Sequence, residues 1–264
     1  MELAEIRTYP IKSGKGLPRL SAKVLPWGLE GDRRWGVVDP MGELIWVGEY
    51  PRLLSVSAME TPEGGLHLSA KDLGELKVPP ATGDTISLNC STLDRAVLAH
   101  ADAHEWFTRL LGKPARLVWL HEPERRTLSE KTGGLWDGPL HLVSRSSLRR
   151  LDDWIAEGAV ERGERPPDPL DVARFRPNLI VDGAEPFEED AWTSVRVGEI
   201  EFRVSMLCDR CVATTWDPAT QERGKEPLRT LAKHRRWDGN TWFGIRLVPT
   251  NLGELRVGDE VRPG

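Results

Sequence analysis

The chain has 264 residues, of which 39% are hydrophobic and 29% are charged. This composition supplies enough apolar side chains for a core and excludes a disordered chain. Its 36 Lys and Arg residues against 41 Asp and Glu residues give a net charge of −5, which argues against a dedicated nucleic-acid-binding protein. The 25 glycines and 20 prolines predict many turns and therefore many strands.

The N-terminal sequence MELAEIRTYPIKSG carries Glu2 and Glu5 where a secretory signal peptide has basic residues. No segment reaches the roughly 20 apolar residues that span a bilayer. We therefore expect a cytoplasmic protein that binds neither membranes nor nucleic acid. The three cysteines, Cys90, Cys208 and Cys211, are too few for a disulfide framework, so their thiol chemistry is the question of interest.

The N-terminal third is predicted to form short strands separated by turns. Alternating or β-branched residues predict four strands, at residues 23–25, 35–39, 44–47 and 53–59. Segments rich in Gly and Pro separate them. We interpret this region as an antiparallel β unit.

The apolar period changes after this region. Trp106, Phe107, Leu110 and Leu111 predict a helix at 99–111, and Gly112 ends it. Further elements are predicted in chain order: a strand at 115–120, a helix at 146–157 capped by Ser144 or Ser146, strands at 178–181, 194–197 and 201–205, a helix at 227–234, and strands near 243–248 and at the C-terminal end. The predicted fold class is mostly β with some α, an α+β barrel or sandwich with helical insertions.

The most specific local feature is Cys208-Asp209-Arg210-Cys211, which follows a predicted strand. A CxxC pair is two small half-buried residues, half of a zinc site, or a redox dithiol. A fourth interpretation is a single thiolate that acts as a ligand or nucleophile, because Arg210 beside Cys211 favours the anionic form of a thiol. The residues alone leave these alternatives open and do not choose between the two sulfurs.

Two of these alternatives have little support elsewhere in the sequence. A zinc site needs further ligands, and the closely spaced His100 and His104 lie on a predicted helix more than a hundred residues before Cys208. A thioredoxin-like CxxC opens a helix, whereas this one follows a strand.

Three segments carry cations suited to an anionic small molecule. YPIKSGKG places Lys12 and Ser13 in a turn whose N–H groups can hold a phosphate, although a solvated turn explains it equally. Arg33 and Arg176 stand at the edges of predicted strands, where a guanidinium suits phosphate or carboxylate. The sequence contains no GxSxG motif and no GxGxxG after a strand, so the corresponding enzyme classes are unsupported.

Taken together, these segments resemble the MOSC-domain family, which includes amidoxime reducing components and bacterial reductases of N-hydroxylated substrates. The resemblance rests, in order, on YPIKSGKG, GLEGDRRWGVVD, YPRL, HLVSRSSL, FRPNLIVDG and CDRCVATTWDPATQERGKEPLRTLAKHR. It covers nearly the whole chain. It implies an N-terminal β-barrel-like region at residues 1–90, followed by a MOSC β-barrel domain with helical insertions at residues 91–264.

The resemblance also implies a cofactor and a set of site residues. The cofactor is molybdenum-molybdopterin, a molybdenum ion held by one pyranopterin dithiolene and one protein cysteine. By motif position that cysteine is Cys211, as metal ligand and catalytic residue, with Asp137 as a second catalytic residue. The cofactor-binding residues by the same carry-over are Lys12, Ser13, Arg33, Ser144, Arg176 and Asn178. Pyridoxal phosphate binding is a further property associated with the family.

The implied activity is reduction of amidoximes or hydroxylamines, a small-molecule substrate class, with N–O cleavage by two electrons. The chain has no cysteines to spare for an iron–sulfur cluster, so we expect an external electron-transfer protein of ferredoxin or flavoprotein type. Gly48 stands where relatives usually carry an arginine. The alternatives are a cofactor carrier or sulfur-transfer protein with a persulfide on Cys211, and a zinc-stapled β domain that binds a partner.

Overall fold

The computed structural model describes residues 1–90, 93–125 and 139–264. The helices in these residues are α1 (Ala101–Leu111), α2 (Arg145–Glu161) and α3 (Leu228–His234). The strands are β1 (Glu2–Thr8), β2 (Leu17–Arg19), β3 (Ser21–Leu25), β4 (Gly28–Leu29), β5 (Trp35–Val38), β6 (Ser57–Glu60), β7 (Leu66–Ala70), β8 (Gly74–Val78), β9 (Thr85–Cys90), β10 (Leu93–Leu98), β11 (Arg116–Trp119), β12 (Leu140–Ser144), β13 (Leu179–Asp182), β14 (Ser194–Val197), β15 (Ile200–Asp209), β16 (Arg236–Trp237), β17 (Asn240–Pro249), β18 (Gly253–Arg256) and β19 (Val261–Pro263). Strands dominate, which confirms the predicted α+β class. Among the described residues, no helix has the length and apolar character needed to cross a bilayer.

The helices form where the apolar periodicity predicts them. Helix α1 buries Trp106, Phe107 and Leu110 on one face and ends at Gly112, whose left-handed φ of 68° suits a glycine C-cap. Helix α2 runs to Glu161, four residues beyond the prediction. The reason is the spacing of its buried side chains, because Leu151, Ile155 and Ala159 continue one stripe at intervals of four residues.

Two of the predicted strands are wrong. Residues 44–47 make an isolated bridge between Val38 and Leu44 instead of a strand. Residues Pro51–Ser55 form a 3₁₀ helix, and β6 starts only at Ser57. Proline at the first position favours this turn, which buries Leu53 and Leu54 through local hydrogen bonds that a strand would not make.

The described residues form two compact units, each assembled from separate stretches of sequence. The first unit contains residues 1–7, 18–30 and the described residues from 139 to 264. The second contains residues 8–17 and the described residues from 31 to 125. The division into family domains at residues 90 and 91 stays a prediction.

A nine-stranded sheet dominates the first unit. Its strands lie in the order β19-β14-β15-β17-β12-β13-β1-β2, and β16 pairs with β17 beside this path. Strand β1 also meets the residues just before β19 at one place. Glu2 and Glu260 form an isolated bridge there, and the Leu3 N–H donates to the Asp259 carbonyl at 2.8 Å. The sheet therefore curves back on itself without the continuous strand pairing that would close a barrel.

Alternation along these strands fills the core of the first unit. Inward-facing residues of β14, β15 and β17 pack together, among them Val195, Val197, Phe202, Ile245 and Leu247. A second cluster joins α2 and α3 to the sheet through Leu151, Ile155, Phe175, Leu231 and Phe243. Burying each of these side chains contributes about 1.5–3 kcal/mol. Strand β15, which leads to the CxxC motif, is therefore anchored in the core of the first unit.

The second unit has two smaller sheets, ordered β5-β11-β10-β9 and β6-β7-β8. Helix α1 packs its buried face into the same cluster as Trp35, Val37 and Leu117. The turn between β1 and β2 belongs largely to this unit, so Lys12 and Ser13 are positioned by it.

One carboxyl group is buried in the first unit without full compensation. Glu189 has 0% exposure and lies in the 3₁₀ turn Glu188–Ala191. Its Oε2 accepts a hydrogen bond from the Ser147 hydroxyl at 2.9 Å, and its Oε1 has no hydrogen-bond partner among the described residues. Burial raises the pKa of Glu189, and the hydrogen bonds from its own backbone and from Ser147 oppose this only in part.

We expect Glu189→Gln to stabilise the fold increasingly from acid to neutral pH. Because the Glu189 pKa is higher in the folded chain, the stability linked to it is complete below the unfolded pKa and is lost as pH rises toward the folded pKa. Glutamine does not ionise and escapes this loss. Denaturant unfolding across this pH range measures the difference, with the exposed Glu185→Gln as a control. A benefit of equal size at every pH would contradict the assignment.

Candidate functional site

The CxxC turn begins where β15 loses its regular pairing with β17. The pairing register shifts between Leu207 and Asp209, and such a bulge redirects the side chains that follow it. The Arg210 N–H donates to the Thr241 carbonyl at 2.7 Å. Cys211 then precedes the 3₁₀ turn Val212–Thr215 in an extended conformation. This geometry separates the surroundings of the two cysteines.

The two sulfurs differ in accessibility and in bonding. Cys208 is buried, with 4% exposure, whereas Cys211 is exposed, and neither forms a disulfide. The Cys211 carbonyl accepts hydrogen bonds from the Thr214 N–H at 3.1 Å and the Thr214 hydroxyl at 3.0 Å. The Cys211 thiol makes no capping bond. The backbone is therefore fixed while the thiol faces solvent, which does not fit a dithiol pair that works as one unit.

Cys208 is the cysteine whose ionisation the fold changes most. Burial alone raises the pKa of its thiol, but the charges of Arg210, His141 and Arg246 outweigh burial and hold the pKa well below the ordinary value. Arg210 Nη1 donates to Cys208 Sγ at 2.9 Å. The fold therefore favours the thiolate form of the buried Cys208.

Arg210 connects this thiolate to another loop. Its Nη2 donates to the Phe175 carbonyl at 2.8 Å, and its guanidinium lies 5.3 Å from the centre of the Phe175 ring. Its Nη1 also lies 3.4 Å from His141 Nε2. A guanidinium can make such contacts simultaneously because its donors are fixed in a planar fork.

His141 lies against the same cluster. Burial lowers its pKa, and the nearby Cys208 thiolate partly opposes this. Its Nε2 also lies 3.4 Å from the Phe243 carbonyl. Gly244 allows this approach, because a Cβ there would lie 2.6 Å from His141 Nε2.

Sequence reasoning missed His141 and Arg246 as partners of the CxxC motif. Arg246 lies on β17, and its Nη2 is 3.8 Å from Asp209 Oδ1. The available signal was weak. His141 lies in a segment for which no strand was predicted, and only the pairing of β12, β15 and β17 brings it to Cys208.

The FRPN segment lies in the first unit with the CxxC turn. Arg176 ends the 3₁₀ turn Val172–Phe175 with a left-handed φ of 54°. Asn178 is fully buried, and its amide serves the backbone: Oδ1 accepts from the His141 N–H at 3.3 Å and Nδ2 donates to the Arg7 carbonyl at 3.1 Å. Asn178 therefore joins β12 and β1 near the start of β13. The cofactor roles of Arg176 and Asn178 stay predictions.

Ser144 is positioned as a helix cap. Its buried Oγ accepts from the Ser147 N–H at 3.1 Å at the start of α2 and contacts the hydroxyls of Ser146 and Ser147. This confirms the predicted cap, whereas its role toward a cofactor stays a prediction. Asp137 lies outside the described residues.

Lys12 and Ser13 lie in a tight turn of the second unit. Lys12 is exposed, and its N–H donates to the Trp35 carbonyl at 2.8 Å. Ser13 is buried with a left-handed φ of 68°, and its Oγ accepts from the Val47 N–H at 3.1 Å. The Ser13 hydroxyl therefore has a structural role in this turn. The phosphate-binding role of both residues stays a prediction.

Arg33 is held by its neighbours in the second unit. It pairs with the buried Asp32, and its guanidinium lies 4.8 Å from the centre of the Tyr9 ring. Asp32 in turn accepts from the Tyr9 N–H at 2.7 Å. Arg33 also has a left-handed φ, of 52°. The side chain is therefore oriented by an ion pair and an aromatic face, and its cofactor role stays a prediction.

The departure at Gly48 has a local packing explanation. A Cβ at this position would lie 2.2 Å from Trp46 Cη2, and the Trp46 indole N–H donates to Glu49 at 3.2 Å. An arginine here would displace the Trp46 ring.

The histidines that a zinc site would use serve structural roles. His100 accepts from the Asp102 N–H as the cap of α1, and His104 Nδ1 accepts from the Leu117 N–H at 3.1 Å. Nowhere in residues 1–90, 93–125 and 139–264 do three or more His, Cys, Asp or Glu side chains form a cluster suited to a metal ion. A four-ligand zinc site at the CxxC motif thus finds no support in the described residues.

Comparison with known families decides which group of proteins the chain belongs to. The sequence matches the family models described as the MOSC domain, over residues 127–262, and the MOSC N-terminal beta barrel domain, over residues 1–114. The chain belongs to the MOSC-domain family. This confirms the resemblance stated from the motifs.

Similar proteins of this family cover nearly the whole chain. Mitochondrial amidoxime-reducing component 1 of Homo sapiens is 29% identical over 98% of this chain and 82% of that protein. The Danio rerio protein of the same name is 31% identical over 98% of this chain and 83% of its own length. The molybdenum cofactor sulfurase of Oryza sativa subsp. japonica is 28% identical, with this chain matching 35% of that protein. Pyridoxal phosphate binding stays a prediction.

The residues of the CxxC turn fit the cofactor that the resemblance implies. The resemblance implies a metal held by two dithiolene sulfurs and one protein sulfur, and Cys211 offers one exposed thiol on a hydrogen-bonded backbone. Thiolate is a soft ligand suited to a metal that prefers sulfur. The observed donor set thus suits a cofactor that brings most of its own ligands.

We expect iodoacetamide to modify Cys211 at least roughly tenfold faster than Cys208 in the folded, cofactor-free chain, because access outweighs thiolate character when one sulfur is buried. Peptide mass mapping measures both rates. In denaturant the difference should disappear. Faster modification of Cys208 in the folded chain would contradict its burial.

Proposed function

We propose that this MOSC-domain protein is an enzyme that binds the molybdenum cofactor through Cys211 and reduces N-hydroxylated compounds such as amidoximes and hydroxylamines. The observation that carries the proposal is the contrast within the CxxC motif. Cys211 is exposed at a fixed turn, and Cys208 is buried and bonded to Arg210. One sulfur is thereby left available as a metal ligand.

The similarity to amidoxime-reducing components, along nearly the full length of both chains, supports the reductase assignment. When bound, the cofactor supplies the two-electron chemistry that cleaves the N–O bond. The overall reaction takes one N-hydroxylated molecule, two electrons and two protons, and gives the reduced nitrogen compound and water. We propose that an external electron-transfer protein of ferredoxin or flavoprotein type supplies the electrons.

The protein's own groups act by holding and orienting. Cys211 would hold the metal through its sulfur. The Thr214 hydroxyl donates to the Cys211 carbonyl, so the backbone from which this thiol extends is held in place. We propose that Arg176, in the loop that Arg210 contacts through Phe175, supplies positive charge for an anionic part of the cofactor. The cytoplasmic location stays part of the proposal.

A second candidate is a cofactor carrier or sulfur-transfer protein. The match to part of a molybdenum cofactor sulfurase favours it, and an exposed Cys211 suits a persulfide as well as a metal. In that case the chain would carry sulfur and would not turn over an N-hydroxylated substrate.

We expect Cys211→Ser to contain roughly tenfold less molybdenum, or less still, than the unmodified protein. Removing a residue that only hydrogen-bonds to a metal ligand already lowers metal affinity roughly 10–100-fold, and here the ligand itself is removed. The chain is expressed in a host that makes the cofactor, and molybdenum per chain is measured on fresh protein. Cys90→Ser, in β9 of the second unit, is the matched control and should keep its metal. Equal metal in Cys211→Ser and the unmodified protein would exclude Cys211 as the ligand.

We further expect benzamidoxime to speed the oxidation of a reduced artificial electron donor by the loaded protein, with benzamidine as product. Loss of molybdenum in Cys211→Ser should abolish this oxidation, because the electrons then have no acceptor. Chromatography measures benzamidine and the donor's absorbance measures electrons. A persulfide on Cys211 in protein without molybdenum, together with no benzamidine, would favour the carrier instead.

A further inference from the structure

The buried thiolate of Cys208 has no task in the proposed reaction. Its placement is nevertheless specific, because Arg210 Nη1 donates to it at 2.9 Å while Nη2 of the same side chain donates to the Phe175 carbonyl at 2.8 Å. Both donors belong to the rigid, planar guanidinium of Arg210, which is called the fork below. The fork thus connects the end of β15 with the 3₁₀ turn Val172–Phe175.

Both ends of this fork lie beside proposed cofactor-binding residues. Arg210 directly precedes Cys211, and Phe175 directly precedes Arg176. The backbone beyond each end is held by further bonds, from the Arg210 N–H to the Thr241 carbonyl at 2.7 Å and from the Arg176 N–H to the Ala173 carbonyl at 3.1 Å. A change in the fork would therefore reach both neighbours through short, ordered segments.

The surroundings of the fork favour an anion at position 208. Arg210 Nε is buried without a hydrogen-bond partner among the described residues, and Arg246, whose Nη2 lies 3.8 Å from Asp209 Oδ1, adds a second cation near Cys208. Half-buried cations are costly unless paired. A neutral thiol is a weak acceptor and would not balance this charge, whereas a thiolate does.

We propose that Cys208 is a positioning residue: through the fork of Arg210, its sulfur fixes the turn that carries Cys211 against the loop that carries Arg176. The inference rests on the proposed function only for the roles of Cys211 and Arg176. The fork itself belongs to the protein without any cofactor, so it is testable there.

The first test is hydrogen exchange, followed by mass spectrometry, on cofactor-free protein. Cys208→Ser keeps a side chain of similar size but removes the anion, and Arg210→Lys keeps the charge but removes the fork. Both variants should raise the amide exchange rates at residues 173–178 and 210–215 on the order of tenfold, because a hydrogen bond from the charged Arg210 side chain holds each segment in the parent. Cys90→Ser is the matched control and should leave both segments unchanged.

The two variants separate positioning from simple packing. If Cys208 only fills space, Cys208→Ser leaves both segments as protected as in the parent, and the proposal is overturned even if Arg210→Lys, which also loses the bond to the Phe175 carbonyl, raises exchange. Should Cys208→Ser not fold, Cys208→Ala, which also removes the sulfur, decides in its place. We expect the parent protein to show the ultraviolet absorbance of a thiolate that Cys208→Ser lacks, and this difference reports the anion itself.

A second test uses protein from a host that makes the cofactor. The molybdenum affinity of Cys208→Ser and of Arg210→Lys should be roughly 10–100-fold lower than that of the parent, although both variants keep Cys211. If the parent protein binds no molybdenum, the proposed function fails while the exchange result still decides the positioning role. If the parent binds molybdenum and both variants bind it equally well with unchanged exchange, the positioning role alone is excluded.

Discussion

The candidate site depends on placing the guanidinium of Arg210 against the protein interior. A cation taken partly out of water needs compensation, and Arg210 receives it from the Cys208 sulfur, the Phe175 carbonyl and the face of the Phe175 ring. These partners come from two separate parts of the chain. The charge of one side chain thus fixes the relation between the end of β15 and the FRPN loop.

This constraint gives the CxxC motif an unequal pair of sulfurs. In a redox dithiol the two thiols share a bond and a task, whereas here the bulge after Leu207 precedes a buried Cys208 and an exposed Cys211. Burial denies Cys208 access while neighbouring cations lower the pKa of its thiol, and the exposed turn gives Cys211 access. A motif of two cysteines three positions apart therefore supplies one buried thiol with a lowered pKa and one accessible thiol.

Much of this fold was predictable from local pattern. The periodicity of Trp106, Phe107 and Leu110 predicted α1, and the local patterns at 194–197 and 201–205 predicted the strands that pair as β14 and β15, because both signals act over a few residues. The strand predicted at 53–59 was wrong in its first residues, which belong to the 3₁₀ helix Pro51–Ser55, since a proline-initiated turn competes with an apolar run that fits either structure. Sheet order and the composition of the two units depend on long-range pairing, which no local pattern contains.

The site was predictable to a similar extent. The motif pointed to Cys211, whose cofactor role stays a prediction, whereas the lowered pKa of Cys208 depends on Arg210 and also on His141 and Arg246, which are far away in sequence. Their contribution exists only because β12, β15 and β17 lie side by side. Charge clusters made by neighbouring strands are the part of a site that a single sequence conceals most effectively.

Backbone conformation adds an independent argument about the loop residues. Arg176 adopts a left-handed φ of 54°, a conformation that costs a non-glycine residue roughly 1 kcal/mol or more and that glycine adopts freely. Ser13 has the same type of conformation, and its hydroxyl accepts a bond from the Val47 N–H that helps to offset the strain. A glycine at position 176 would relieve the strain but would remove a guanidinium from the loop that Arg210 holds. The strain at Arg176 fits the proposed role of its guanidinium toward the cofactor, since strained conformations cluster at functional sites.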